Sequence, residues 1–200
     1  MRIACIEVET FLGLLIDPYS VDPTRVRIED IAFRLSNTCR FGGFVRRCVA
    51  GHSLIVEKIV DRLGGHKQAR MHALLHDAHE AYLGDVPTPL KHRPEFVHYR
   101  EACDRAQLAI LKSLHIRKPS RRVVALVKRA DDTSMLLEVR GRLPSNGLHW
   151  DVPHSARVDA DVLYDACAPL LGVPWRPVDA EARFLERYEW LRHALRRSKR

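Results

Sequence analysis

The chain has 200 residues, 46% of them hydrophobic and 29% charged, a balance that suits one folded domain with a sizeable core and excludes a disordered or low-complexity chain. The formal net charge of +8 points toward polyanionic partners; composition by itself favours a solvated basic surface, and Arg192, Arg196, Arg197, Lys199 and Arg200 put much of the excess at the end of the sequence. The five cysteines, Cys5, Cys39, Cys48, Cys103 and Cys167, form no CxxC pair, so neither a zinc knuckle nor a disulfide framework is indicated and a reducing, cytoplasmic setting fits.

The apolar run over 3–16 is interrupted by Glu7 and Glu9 and lacks a basic start with a cleavage signal, which argues against a signal peptide or a membrane span. β-Branched residues, Gly13 and the Asp17-Pro18 breaker predict a short strand or hairpin within 1–20. Ile28, Ile31, Ala32 and Leu35 then recur at helical spacing, with Glu29 and Asp30 favouring a helix start. Gly42-Gly43 breaks the chain before a second helix over about 49–63, which Gly64-Gly65 ends. A third helix is predicted over about 68–82. The run Asp85-Val86-Pro87-Thr88-Pro89 stops it, because proline cannot continue the hydrogen-bond ladder. Helices over about 94–115 and 120–142, a loop from Pro144 toward His154, and helices over about 160–171 and 179–197 complete the reading. Leu185, Tyr188, Leu191 and Leu195 stripe the last helix, facing either the core or a second subunit. The expected fold is all-α in the main, with a short N-terminal strand or hairpin and no repeats. It divides into an N-terminal extension (1–27), a helical core (28–142) and a C-terminal loop with helices (143–200).

Chemistry concentrates in the helical core. His52 lies on the second predicted helix, the adjacent His76-Asp77 pair on the third, and Asp131 on the fifth. Two imidazoles and two carboxylates suit a divalent cation with open coordination positions, and facing helices of a bundle can bring such groups together. A cation of that kind can make water a nucleophile at neutral pH, so a hydrolase is the first hypothesis. Asp131 is preferred over Asp132 because Val124, Val127, Asp131, Ser134 and Glu138 share one face, whereas Asp132 shares a solvent-facing side with Lys128 and Arg129. Glu80 follows His76 and Asp77 on the same side, where a carboxylate could act as general base and then acid; a helix's last turn is an unfavourable place for it otherwise. Arg40, Lys91 and Arg93 are candidate phosphate ligands, Phe41 could stack on a base or sugar, and Gly42-Gly43 would let backbone approach a ligand. His66, His72, His79, His92 and His98 read as packing or surface groups, since no complete HExxH pattern is present.

The run His76-Asp77-Ala78-His79-Glu80 through Asp85-Val86-Pro87-Thr88-Pro89-Leu90-Lys91 resembles the HD-domain phosphohydrolases, in particular the bacterial 5'-deoxynucleotidases, with their HDAxE and D-x-P-T-P-x-K patterns. Thr10, Gly13, Asp17, Ile28-Glu29-Asp30-Ile31-Ala32, Arg40-Phe41-Gly42-Gly43 and the 177–191 segment are similar to a phage-associated group of that superfamily, which includes dATP triphosphohydrolases. The resemblance implies an HD-domain helical bundle with metal ligands His52, His76, Asp77 and Asp131, for a divalent ion such as zinc, cobalt, manganese or magnesium. It implies catalytic roles for Glu80 and Asp85. It further implies a deoxynucleotide site built from Arg40, Phe41, Asp85, Val86, Pro87, Thr88 and Lys91, and a homo-oligomer, in a host cytoplasm if phage-encoded. The sequence departs from the pattern at Phe41, where Trp is usual, and at Gly51, where Glu or Gln often precedes the first His.

Two rival readings are a nucleic-acid-binding protein using the basic C-terminal helix and an inactive HD scaffold that senses nucleotide. No recognised nucleic-acid motif accompanies the terminal Arg cluster and no aromatic residues interleave with it, and the intact ligand set argues against the sensor.

Overall fold

The computed structural model describes residues 6–172 and 175–197, so Cys5, Lys199 and Arg200 lie outside it. The chain is mainly helical, with a short antiparallel hairpin at its start. Strands β1 (Val8–Glu9) and β2 (Leu15–Ile16) pair with Val8 opposite Ile16. Gly13 turns the hairpin at φ +77°, a left-handed value that glycine reaches without strain. The Leu12 N–H donates to Asp30 Oδ1 at 2.9 Å, tying the hairpin to helix α1 (Ile28–Asn37). Ile16 is buried, whereas Ile6, Val8, Phe11, Leu12, Leu15 and Tyr19 stay exposed.

Helix α2 (Val49–Arg62) is the axle of the structure. Every residue from Val49 to Val60 is buried except Lys58, the pattern of a helix packed on all sides. Its one side joins Ile31, Leu35, Leu74 and Phe184; its other side joins Val127, Leu137 and Cys167. Each large apolar side chain fully buried there contributes about 1.5–3 kcal/mol against leaving it in water. The same all-round burial carries His52, Ser53 and Glu57 into the interior. The last helix, α10 (Pro177–Arg197), lays Phe184, Tyr188 and Leu191 against this core with Leu185 and Leu195 partly buried beside them, so its stripe faces the core.

Several boundaries differ from the sequence reading. The helix expected over 68–82 is two helices, α3 (Lys67–Leu74) and α4 (Glu80–Leu83), joined by tight turns. Through that joint Ala78, Glu80 and Ala81 donate to residues three back, at 3.0–3.2 Å, in place of the four-back bonds of an α-helix. Glu80 therefore opens a short helix and does not sit in a last turn. Downstream, the Pro-rich run starts a further turn of helix, α5 (Thr88–Lys91), because Pro89 falls in its first turn where no N–H partner is needed. A 3₁₀ turn (Pro94–Phe96) precedes α6 (Val97–Ser113). Helix α7 (Arg121–Val139) is capped by Ser120, whose Oγ accepts from the Val123 N–H at 3.3 Å. The single helix expected over 160–171 is α8 (His154–Val162) followed by α9 (Tyr164–Leu171). Asp159 of α8 holds Arg129 of α7 at 2.5 and 2.7 Å, a tertiary tie that fixes α8 where periodicity gave no sign of it.

The half-exposed Trp190 collects Lys67, Arg70 and Arg187 around its ring at 5.0–5.9 Å, so an aromatic does stand among cations near the basic end. No helix among the described residues is long and apolar enough to cross a membrane.

Candidate metal centre

Three separate elements bring His52, His76, Asp77 and Asp131 to one point. His52 Nε2 lies 3.2 Å from His76 Nε2, 3.1 Å from Asp131 Oδ1 and 3.6 Å from Asp77 Oδ2. His76 Nε2 lies 3.1 Å from Asp77 Oδ2 and 3.9 Å from Asp131 Oδ1. Nitrogen and oxygen donors about 2.0–2.2 Å from a shared ion stand about 3–3.5 Å from one another; three of the five separations fall in that range and the other two, 3.6 and 3.9 Å, lie a few tenths of an ångström beyond it.

The outer ring nitrogens say what the inner ones must be. His76 Nδ1 donates to the Ala73 carbonyl at 2.8 Å. The last turn of α3 supplies that carbonyl. His52 Nδ1 donates to Glu138 Oε2 at 3.0 Å, with Ser134 Oγ at 3.1 Å. With both Nδ1 atoms donating, the neutral rings turn two lone pairs toward each other and toward two carboxylate oxygens. No hydrogen-bond pattern among neutral rings satisfies four acceptors; a positive charge at their centre, whether a proton on His76 Nε2 or a cation, does. Electrostatics agree. Burial disfavours an imidazolium at His76, but the Asp77 and Asp131 carboxylates outweigh it and push the ring up to about 9. Burial likewise opposes ionisation of Asp77, and the adjoining His76 holds it well below the usual carboxylate range. His52, His76 and Asp131 therefore form a donor set that could hold a metal ion, with Asp77 Oδ2 at 3.1 and 3.6 Å from the two imidazoles beside it.

A second group, Asp77, His79 and Glu80, also converges with ligand atoms within 4.8 Å of one another. His79 thus belongs to the neighbourhood of the site, not merely to packing; its Nδ1 also lies 3.4 Å from Gln107 Oε1. Glu80 is buried, and its Oε1 accepts from Lys91 Nζ at 2.9 Å while Oε2 has no hydrogen-bond partner among the described residues. Burial, then the charge on Asp77, push its carboxyl up to about 8 against the pull of Lys91. Lys91 also lies 3.9 Å from Asp85, whose carboxyl burial raises.

Arg40 is buried against the same cluster. Its Nε lies 3.3 Å from Glu138 Oε2 and its Nη1 3.7 Å from Asp77 Oδ2. Phe41 holds a left-handed backbone, φ +54°, and its ring stacks loosely on Trp150 with centroids 6.0 Å apart. Arg47 anchors the far end of this segment on the carbonyls of Leu170, at 3.0 Å, and Leu171. Val86 and Pro87 are partly exposed and Thr88 is exposed. Arg93 is exposed too, and none of the ion pairs of the cluster includes it. Two surface cavities, about 340 and 450 Å³, are lined by other residues and contain none of the cluster.

Two points correct the sequence reading. Asp132 is buried, not solvent-facing, and is held by Lys128 at 2.5 Å, while Asp131 is the carboxylate that reaches His52. Val124, placed on the inward face with Asp131, is exposed. Glu138 had no assigned role, yet it orients His52 and neutralises Arg40 at once. Its signal was the 131, 134, 138 spacing, which puts all three on one face of α7.

No family model matches the chain. It is 28% identical over 184 residues to the uncharacterized protein YfdR of Escherichia coli (strain K12), covering 90% of this chain and 93% of YfdR. It is also 42% identical over 83 residues to an uncharacterized protein of Rhodobacter capsulatus, covering 38% of this chain and 41% of that protein.

Proposed function

We propose that this chain is a metal-dependent phosphohydrolase of the HD type acting on deoxynucleoside 5'-phosphates, mono- or triphosphates, dATP among them. The observation that carries the reading is the convergence of two imidazole Nε2 atoms with oxygens of Asp77 and Asp131 at 3.1–3.9 Å, beside a buried Glu80–Lys91 pair. His52, His76, Asp77 and Asp131 would hold a divalent zinc, cobalt, manganese or magnesium ion, which supplies Lewis acidity and a lowered pKa for water.

The other residues divide the remaining work. Arg40 presents a planar guanidinium that can pair two phosphate oxygens, and Lys91 adds a compact positive charge. Both offset the negative charge that grows on those oxygens as the phosphorus is attacked. Glu80, with its carboxyl near 8, can hold a proton or accept one close to neutral pH, as general acid–base chemistry requires. Asp85, Val86, Pro87 and Thr88 form the adjoining wall for sugar and base, and Phe41 with Trp150 offers an aromatic surface beside Arg40. A homo-oligomer is part of the reading, and the exposed apolar side chains of the hairpin support a subunit contact. The cations around Trp190 support a nucleic-acid surface less well, since Glu57 and Asp61 already pair with Arg70 at 2.6 and 2.7 Å.

The test is a panel of deoxynucleoside mono- and triphosphates assayed for phosphate or polyphosphate release with manganese, cobalt, zinc and magnesium. Metal-dependent turnover that disappears in His76→Ala and Asp77→Ala supports the proposal. No turnover with any pair, or turnover that survives either change, ends it.

A further inference from the structure

Cys39 and Cys48 stand directly opposite one another in an isolated antiparallel β-bridge. The hydrogen bonds of this bridge run from the Arg40 N–H to the Arg47 carbonyl (2.9 Å) and from the Val49 N–H to the Thr38 carbonyl (3.0 Å). They flank the cysteines and do not join them, which makes this the narrow, non-hydrogen-bonded kind of pair, with Cα atoms about 4.5 Å apart. Facing residues in such a pair project from the same side, and a disulfide spans Cα separations of about 4.4–6.8 Å. Both thiols are free; Cys39 is exposed and Cys48 half-buried, while Cys103 and Cys167 are buried. The segment that the two cysteines bracket carries Arg40 and Phe41 and has a left-handed backbone at Phe41, Gly42 and Gly43 in succession.

We propose that Cys39 and Cys48 are a modification site that takes a small-molecule disulfide, of the oxidised-glutathione class, and closes into a disulfide across the base of the 40–47 segment. The Cys39 thiolate attacks one sulfur of the oxidant, forming a mixed disulfide and releasing one small thiol. The Cys48 thiolate then attacks the Cys39 sulfur and expels the second. Two protein thiols lose two electrons and two protons, and the oxidant leaves as two thiols. The bridge already sets the register, so closure asks no movement of Arg40. Cys48 gives up only the weak contact its sulfur accepts from the Gly51 N–H at 3.4 Å.

The experiment incubates the whole chain with oxidised glutathione, alkylates free thiols and digests with trypsin without reduction. Residues 35–40 should appear joined to residues 48–58, and dithiothreitol should separate them. Closure of so short a loop should raise the melting midpoint by roughly 5–10 °C. Cys39→Ser should show neither change. An adduct that stays on Cys39, a Cys39–Cys5 pairing, or a midpoint that falls on oxidation would overturn the proposal. The peptide map of the wild-type chain decides this even if a serine variant folds poorly.

Discussion

Replacing Glu138 by Gln probes the part of the centre that sequence alone left without a role. The carboxylate is fully buried, 3.0 Å from His52 Nδ1 and 3.3 Å from Arg40 Nε. Burial opposes its charge, but Arg40 and His52 together keep its carboxyl below the ordinary glutamate value. Gln keeps the shape and one acceptor for the His52 N–H, but removes the charge that makes that imidazole a better ligand and that balances Arg40. Losing such an outer partner weakens metal binding by about 10–100-fold, or about 1.4–2.7 kcal/mol. Breaking a buried ion pair by removing one partner costs about 3–5 kcal/mol of stability, and Glu138→Ala should fall in that range with Gln below it. Manganese titration by calorimetry reads the first effect, and urea unfolding in the presence of a chelator reads the second. Asp179→Asn is the control: its carboxylate pairs with Arg176 at 2.8 Å and shares no partner with the cluster, so metal affinity should change by no more than about twofold. A folded Glu138→Gln protein that binds manganese as tightly as the wild type would refute the reasoning.

Further outcomes follow from the same geometry. Asp131→Asn should abolish metal-dependent phosphate release while helical circular dichroism is retained; turnover in the folded variant would remove Asp131 from the centre. Gly65→Ala would put a Cβ 2.4 Å from Val60 Cγ1 and 2.8 Å from the Val60 carbonyl, so a thermal melt should show about 1–3 kcal/mol of destabilisation. Phe184→Ala empties the space between α1, α2 and α10 and should cost about 3–5 kcal/mol in urea unfolding. Burial lowers the His72 pKa below its ordinary value. The unfolded chain therefore binds the extra proton first: this contribution to stability is constant above about pH 6.5 and declines as pH falls below it. Urea midpoints at neutral and mildly acidic pH should show that decline, and His72→Leu should flatten it.

The fold's larger elements were legible because their causes are local. Ile28, Ile31, Ala32 and Leu35 repeat with the helical period, Gly42-Gly43 and Gly64-Gly65 punctuate α2, and Ser120 caps α7. The break between α3 and α4 was not legible, because Met71, Leu74, Leu75, Ala78 and Tyr82 keep a helical period straight through it. Two bonds outside the periodic pattern accompany it: Gln107 Nε2 of α6 donates to the Leu75 carbonyl at 2.7 Å, a tertiary contact, and the nearby His76 Nδ1 takes the Ala73 carbonyl. The four expected metal-site residues do meet in space. Glu138 was visible as a position on one face of α7 but not as a role, since its partner His52 lies 86 residues earlier. The burial of Asp132 was hidden for a related reason: a helical projection shows which residues share a face, not which neighbour covers it.

Because α2, the joint after α3 and α7 each contribute to one cluster, an ion seated there would act as a staple between parts of the chain far apart in sequence. Binding to the folded form alone adds RT ln(1 + [L]/Kd) to stability, about 2.7 kcal/mol at a hundredfold excess over Kd. Heat resistance of this molecule would then depend on its dialysis buffer: samples treated with a chelator and samples kept in trace metal would denature at different temperatures, though their covalent structure is identical.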